Sequence, residues 1–513
     1  MDTVFTSEQM READLKSIER LNGNGFLLME HASAACVRQL FERFGPGLRK
    51  MQVVVLAGLG NNGGDGMAIA RQLASRTVSV SVIVLGDMEK MSNDAFYQRD
   101  LLKNYKIRFV NEIGRLSSES EAEIRGADLV VDAMLGTGLN SSPRGIYEDA
   151  ISVLNECGGF IFSVDVPSGL DSDVGVPPGE AVRANLTVTF GKLKRCHVLS
   201  PSCLNCGEIV LDDISIPEDV FESVGAEFFL LDEGDVASRL PDLQPDGHKG
   251  KFGHVLLAGG AAGRLGACVM AGRAALRSGA GLATVHIHRE NYQIAGPMAP
   301  ELMFSLTDEP YSPAILSEVT EGKDVLLAGP GFGTSKYSHA AMKALLSSSR
   351  ISSVLDADVF RMFKLDELAG MLDGRPAVLT PHPGEMAALH GTTVSQVQRD
   401  RVDFALQTAI RTEAVTVLKG HRTVIGTPDG KAYVNPTGNA GLATAGSGDV
   451  LSGIIASFLG QGMSPINAAI CAVYVHGLAG ELAGKVLTMR GVIASSILDA
   501  IPAALRKILE KVK

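Results

Sequence analysis

The chain has 513 residues, room for two to four domains of about 100–200 residues each, and its 45% hydrophobic content excludes wholesale disorder. A net charge of −11, 5% aromatics and no tryptophan suit neither phosphate-backbone binding nor base stacking, so no nucleic-acid partner is expected. No run approaches the ~20 apolar residues of a membrane span; the best, 451–459, is short and carries Ser and Gly, so no membrane association is expected. The polar N-terminus lacks an apolar signal core, and seven cysteines in so long a chain are not a disulfide framework. The expected compartment is the reducing cytoplasm.

Residues 7–42 carry an amphipathic pattern of two helices. Short β-branched runs at 53–57, 78–85, 128–133, 160–166, 186–190 and 208–211 then alternate with helical stretches at 67–75, 93–104, 118–125 and 147–156. Apolar runs with little polar alternation are strands buried on both faces, which predicts a largely parallel sheet covered by helices. Residues 216–250, with Pro217, Pro241, Pro245, Gly247 and several carboxylates, read as a connection. A second α/β pattern runs through 254–259, 282–288, 324–328, 353–356, 377–380 and 414–419. A hairpin follows, 423–425 with 432–434 through Pro428-Asp429-Gly430, and helices close the chain from about Gly448. The fold class is therefore α/β twice over, in domains 1–225 and 226–513. Their motifs differ, which argues against an internal duplication.

Gly58-Leu59-Gly60-Asn61-Asn62-Gly63 follows a buried strand and opens a helix, with Asp87 24 residues beyond Gly63. That spacing satisfies the dinucleotide fingerprint. The loop continues Gly64-Asp65-Gly66, however, and an aspartate there would repel a phosphate unless it caps or does chemistry. Two further strand ends carry Asp132 and Asp165 with Ser168, each opening a glycine turn. In an open parallel sheet ligands bind outside the carboxyl ends of the strands, where Asn62, Asp132, Asp165 and Ser168 gather. Their hard oxygens suit a cation, leaving a carboxylate for acid–base work; caps and turn formers are the plainer account of each alone.

In the second half, 437–449 is a small-residue loop ending Gly446-Ser447-Gly448-Asp449 and running into an apolar helix. Amides at that helix start form an anion hole for a transferring phosphoryl group, and Asp449 is placed to take a proton from a hydroxyl. Lys419-Gly420-His421-Arg422-Thr423 lies at a strand end, where it can bracket nucleotide phosphates or be a solvated basic turn. Cys203 and Cys206, with Cys196-His197 nearby, offer zinc-ligand types, but the short 196–203 spacing favours ordinary thiols.

The strings GLGNNGGDG (58–66), VDAMLGTGL (131–139), VDVPSGLDSDVG (164–175), TVTFGKLK (187–194) and GEIVLDDISIP (207–217) resemble the NAD(P)H-hydrate epimerase family over nearly all of 1–225. That resemblance implies a Rossmann-like domain in which Asn62, Asp132 and Ser168 hold K⁺ and Asp165 acts on the hydrated nicotinamide. Asn61, Asn62, Gly63, Gly64 and Asp65 would surround the dinucleotide together with Gly136, Thr137, Gly138, Leu139, Asn140, Ser141 and Ser142. Lys194 matches the family lysine, whereas His31 stands where the family usually has asparagine, which bears on helix packing. Residues 227–513 resemble the ribokinase-like fold, in particular the NAD(P)H-hydrate dehydratases, through KGKFGHVLLAGG (249–260), LGACVMAGRAALRSGAGL (265–282), AGPGFG (328–333), LDAD (355–358), TPHPGEMAAL (380–389) and Tyr474-Val475-His476-Gly477. By that resemblance Ala267, Gly331, Gly333, His382 and Asp449 line the hydrate site, and Lys419, Gly420, His421, Arg422, Thr423 and Gly448 contact the nucleotide. Glu385 matches a position that organises Mg²⁺ and phosphate, and Ser496 replaces a frequent aspartate.

Together the resemblances imply repair of hydrated NADH and NADPH, the hydrates NADHX and NADPHX: epimerisation of the two hydrates and nucleotide-driven dehydration of the S form. Hydroxide is a poor leaving group; phosphorylating it makes a good one, which the ring nitrogen lone pair expels. The donor stays open between ADP and ATP, although fused enzymes of prokaryotic type resemble the ADP-dependent group; hydrate preference and homo-oligomer formation also stay open. The rival reading is a ribokinase-like small-molecule kinase with an N-terminal nucleotide-binding regulatory module. A module that binds a nucleotide without turning it over comes next, and a Rossmann dehydrogenase last.

Overall fold

A computed structural model describes residues 1–242, 245–308 and 313–510; the end of the second predicted domain, 511–513, lies outside them. The chain divides into two compact units, Thr3–Ala226, and Glu227–Lys513 with Met1–Asp2.

In the first unit seven parallel strands lie in the order Arg108–Glu112, Ser79–Leu85, Gln52–Ala57, Leu129–Ala133, Phe160–Val164, Leu186–Phe190, Glu208–Asp212. This is Rossmann-like order. The chain reverses direction across the sheet between Gln52–Ala57 and Leu129–Ala133, whose residues pair from Val53 with Leu129 to Ala57 with Ala133. A crevice must open at that switch point. Residues 53–57 are all buried, as a strand covered by helices on both faces requires. Arg108–Glu112 was not predicted, because this edge strand is polar and partly exposed and has no apolar run to betray it. The helix Asn61–Ala74 begins six residues earlier than the sequence pattern suggested. Its first turn is the glycine loop itself: a Cβ at Gly63 would lie 2.0 Å from the Gly58 carbonyl oxygen, so only glycine fits.

In the second unit the parallel strands run Met303–Thr307, Leu282–His288, His254–Ala258, Val325–Ala328, Ser352–Leu355, Ala377–Leu379, Val415–Leu418. The antiparallel pair Val424–Gly426 and Ala432–Val434 follows, as the hairpin signal predicted. Phe228–Leu230 then adds parallel to Ala432–Val434.

Two expectations fail. Residues 216–250 are not a bare connection, for they contain Glu218–Val224, Phe228–Leu230 and Glu233–Arg239. Elements of three to seven residues are too short to show a period amid prolines. The helix Pro465–Leu487 is long and apolar enough to cross a membrane by length and composition, contrary to the sequence reading. Its residues 468–480 are all buried, packed among Ser447–Gly460 and Ala494–Glu510 as the central helix of this unit. A helix apolar on every side is what such a position demands.

Candidate active sites

The crevice predicted by the first unit's topology is a cleft of about 650 Å³. Its walls come from the turns after Gln52–Ala57 and Leu129–Ala133, from Asp165 and Lys194, and from the helix Ser7–Arg20. Asn61, Asn62, Asp65, Gly136, Thr137, Gly138, Leu139 and Asp165 all line it. Gly63, Gly64, Asn140, Ser141 and Ser142 are not in its lining: Gly64 packs on Met29, and the Ser142 hydroxyl lies under Gly179.

At the floor, Asp132 is fully buried. It accepts from the Ser163 hydroxyl at 2.8 Å, from the Ser168 amide at 2.9 Å, and from the Ser168 hydroxyl. Burial raises its pKa, against the opposing hydrogen bonds from Ser168 and Ser163. Asn62 donates its Nδ2 to the Leu135 carbonyl at 2.9 Å, which leaves its buried Oδ1 without a partner among the described residues. A buried amide oxygen with nothing to accept from, beside a buried carboxylate, is a costly arrangement that a cation would relieve.

Asp165 sits with φ at +62°, a left-handed conformation that few side chains tolerate. Three side chains hold it there, the first being Thr189, whose hydroxyl donates to Asp165 Oδ1 at 2.9 Å. Lys194 donates to the same Oδ1 at 2.6 Å and is itself tied to the Thr189 hydroxyl at 2.9 Å and the Phe190 carbonyl at 2.8 Å. His197 accepts the Lys194 amide at Nδ1, so its Nε2–H donates to the Asp165 carbonyl at 3.0 Å. Burial and then Lys194 push the His197 pKa down to about 4, so the ring is a neutral clamp with both nitrogens engaged by backbone. Burial works against ionisation of Asp165, but Lys194 outweighs it and holds the carboxyl below its ordinary range. The roles of Thr189 and His197 were not legible in the sequence because nothing in the spacing ties them to Asp165. Asp87, the acidic residue of the dinucleotide spacing, caps the turn Met88–Lys90 instead. His31 donates from Nδ1 to the Ile214 carbonyl at 3.2 Å, so its ring packs the helix Phe26–Phe44 onto 212–216.

In the second unit the chemistry again lies beyond the carboxyl ends of the parallel strands. Lys419, one residue past Val415–Leu418, points its ammonium at Asp356 Oδ1 (2.8 Å) and Glu385 Oε2 (3.7 Å). Asp356, just past Ser352–Leu355, is buried. Burial lowers the Lys419 pKa, and Asp356 with Glu385 more than restores it, so the net shift is upward. Asp449 stands in the first turn of Ser447–Gly460 and makes no capping bond there. Burial, then Asp356, lifts its pKa to about 7, against the pull of Lys419. That value suits a general base working near neutrality.

The predicted partners converge on the same edge. A Cβ at Gly448 would lie 3.3 Å from Lys419 Nζ, and one at Gly331 3.5 Å from Ala267. The Gly333 amide donates to Asp358 at 2.9 Å. His382 caps Pro383–His390, its Nδ1 accepting from the Gly384 and Glu385 amides, while Glu385 accepts the His382 amide at 2.8 Å. Gly420, His421, Arg422 and Thr423 form the turn into Val424–Gly426, where buried Arg401 holds the His421 and Leu418 carbonyls. Gly446, with a φ of +88°, turns the chain into the helix Ser447–Gly460, whose start is the anion hole expected from the sequence. Asp356 and Asp358 were quoted in the motif LDAD without a role; the fold supplies it.

Comparisons with known proteins identify the family of both units. The family described as NAD(P)H-hydrate dehydratase matches residues 255–503, and that described as YjeF-related protein N-terminus matches 26–196. The bifunctional NAD(P)H-hydrate repair enzyme Nnr of Moorella thermoacetica is 36% identical over 99% of this chain and 98% of its own length. Its Escherichia coli counterpart is 32% identical over 97% and 93%. The crystal structure of an ADP/ATP-dependent NAD(P)H-hydrate dehydratase from Bacillus subtilis, co-crystallized with ATP/Mg²⁺, aligns with 55% of this chain and 98% of that one at 30% identity and a TM-score of 0.48. Matched end to end above 30% identity, the chain belongs to the family of bifunctional NAD(P)H-hydrate repair enzymes.

Proposed function

We propose that the first unit, 1–225 in the sequence division, epimerises the hydrates of NADH and NADPH, and that the second dehydrates one epimer with ADP or ATP. The observation that carries this is the contrast between two carboxylates, Asp165 held ionised by Lys194 and Asp449 lifted to about 7 beside a helix-start anion hole. Asp165 accepts a proton from the substrate in the first site. Asp449 takes the proton from the hydrate hydroxyl as that oxygen attacks the phosphoryl group, and the small-residue loop through Gly448 receives the phosphate. Lys419 holds Asp356 and Glu385 in place and lends positive charge to the nucleotide side.

Asn62, Asp132 and Ser168 would hold K⁺, which supplies positive charge at the cleft floor; the unpartnered Asn62 Oδ1 fits that role. Glu385 and Asp356 offer hard oxygens suited to Mg²⁺, which neutralises phosphate charge when bound. The polar N-terminus and the seven cysteines with no disulfide among the described residues support a reducing, cytoplasmic compartment.

The test mixes both NADPH hydrate epimers with the full-length protein, K⁺, Mg²⁺ and ADP, ATP or neither, and follows the return of reduced-nicotinamide absorbance. Recovery should need a nucleotide, vanish in Asp449→Ala, and stop at the competent epimer in Asp165→Ala. A stable phosphate ester without recovered cofactor would instead establish the small-molecule kinase.

A further inference from the structure

The helix Ser7–Arg20 presents a continuous stripe to the first cleft: Ser7, Met10, Arg11, Asp14, Leu15 and Ile18. These positions recur at three and four residues, so they share one face. The helix is fixed in place by a Thr6–Gln9 capping box and by Asp173, which accepts from the Ser7 amide at 2.6 Å and from its hydroxyl. Asp14 is the one carboxyl in this stripe, half-buried opposite Asp165, and it makes no hydrogen bond or ion pair among the described residues. An unpaired carboxyl aimed into a cleft by a pinned helix has no structural task.

We infer that Asp14 is the second proton-carrying residue of the epimerase site, acting on the ring nitrogen while Asp165 acts on the hydroxyl; this rests on the epimerase reading of the unit. The hydrate carbon bears both the hydroxyl and the ring nitrogen, so it opens as a carbinolamine. Asp165 takes the hydroxyl proton, the O–H electrons form C=O as the C6–N1 bond breaks, and Asp14 delivers its proton to N1. After rotation about C5–C6, N1 attacks the other face of the aldehyde. Asp14 then takes the N1 proton back, and Asp165 returns its own to the oxygen. Both residues end as they began, so one resting state, Asp165 ionised and Asp14 protonated, serves both directions.

The surroundings keep the two carboxyls apart in that way. Burial raises the Asp14 pKa to about 6, with Lys194 opposing and Asp165 adding to the rise. Arg11 on the same helix, and Asp65 and Asp94 across the cleft, are the other charged groups in the lining. Asp65 is also pushed up, by burial and then by Asp165, so it is the control residue for Asp14.

The experiment follows conversion of pure R hydrate of NADPH to S by chromatography, with full-length protein, K⁺ and no nucleotide, the enzyme-free rate subtracted. The wild-type rate should fall about tenfold per pH unit above 6. Asp14→Asn should lose roughly a hundredfold and abolish that limb, whereas Asp14→Glu keeps a displaced limb. Dehydration of the S hydrate by the same Asp14→Asn preparation should stay at wild type, and its circular dichroism and thermal melt should match wild type, showing that both units are folded. A full rate in Asp14→Asn, a limb that persists in it, or a limb removed by Asp65→Asn instead would overturn the role of Asp14. A wild type that cannot interconvert the epimers would overturn the epimerase reading itself.

Discussion

Both units contain a lysine salt-bridged to an aspartate, buried Lys194 to Asp165 at 2.6 Å and partly buried Lys419 to Asp356 at 2.8 Å, yet the two pairs have opposite consequences. In the first, the lysine grips the reactive carboxylate itself and keeps it ionised. In the second it grips Asp356 and Glu385 instead, so the neighbouring Asp449, lifted by burial and then by Asp356, is only partly restrained by Lys419 and stands at about 7. The same ion pair thus makes one aspartate a standing anion and poises another for proton transfer. Which carboxylate the ammonium reaches, more than the presence of either residue, sets the chemistry.

The most severe way to break this contrast is to remove the poised group. Asp449→Asn should abolish nucleotide-dependent dehydration by roughly a thousandfold or more, measured by reduced-nicotinamide absorbance, and leave epimerisation intact. The same variant should be more stable than wild type at pH 8. An aspartate whose folded pKa is raised binds more protons folded than unfolded between its ordinary value and about 7, so stability is lost as pH rises through that window. Thermal unfolding at pH 5 and pH 8 checks the sign.

Exchanging the lysines sharpens the comparison. Lys194→Met leaves Asp165 buried without its cation, at a cost of about 3 kcal/mol in denaturant melts, and stops epimerisation. Lys419→Met should retain a folded protein whose dehydratase pH limb moves above 7, since Lys419 is what restrains the rise of Asp449. A limb that stays put would show that Asp449 is not the titrating base. The smallest effect belongs to Ser496, whose hydroxyl accepts the Ile493 amide at the start of Ala494–Glu510 in place of the usual aspartate. Ser496→Ala should cost about 0.5–1 kcal/mol with both activities unchanged.

The residues of both sites were readable as strings because glycine loops, Asp after an apolar run, and Gly-Ser-Gly-Asp before a helix are local patterns. The parallel α/β class was equally local, since strands buried on both faces, such as 53–57, show it in five residues. Edge and short elements were not legible: Arg108–Glu112 is polar because one side meets water, and Phe228–Leu230 earns its place only by pairing with Ala432–Val434. Helix Pro465–Leu487 was misjudged for the opposite reason, its apolar length being a property of the core around it. Pairings across the chain carry the rest. His197 clamps a carbonyl 32 residues away, Lys419 reaches an aspartate 63 residues away, and Asp14 meets Asp165 across a cleft that only the packed helix encloses. Local pattern determines which side chains are available and which element bears them. Proton affinity depends on burial and on the charges brought alongside, and those exist only once the chain has folded.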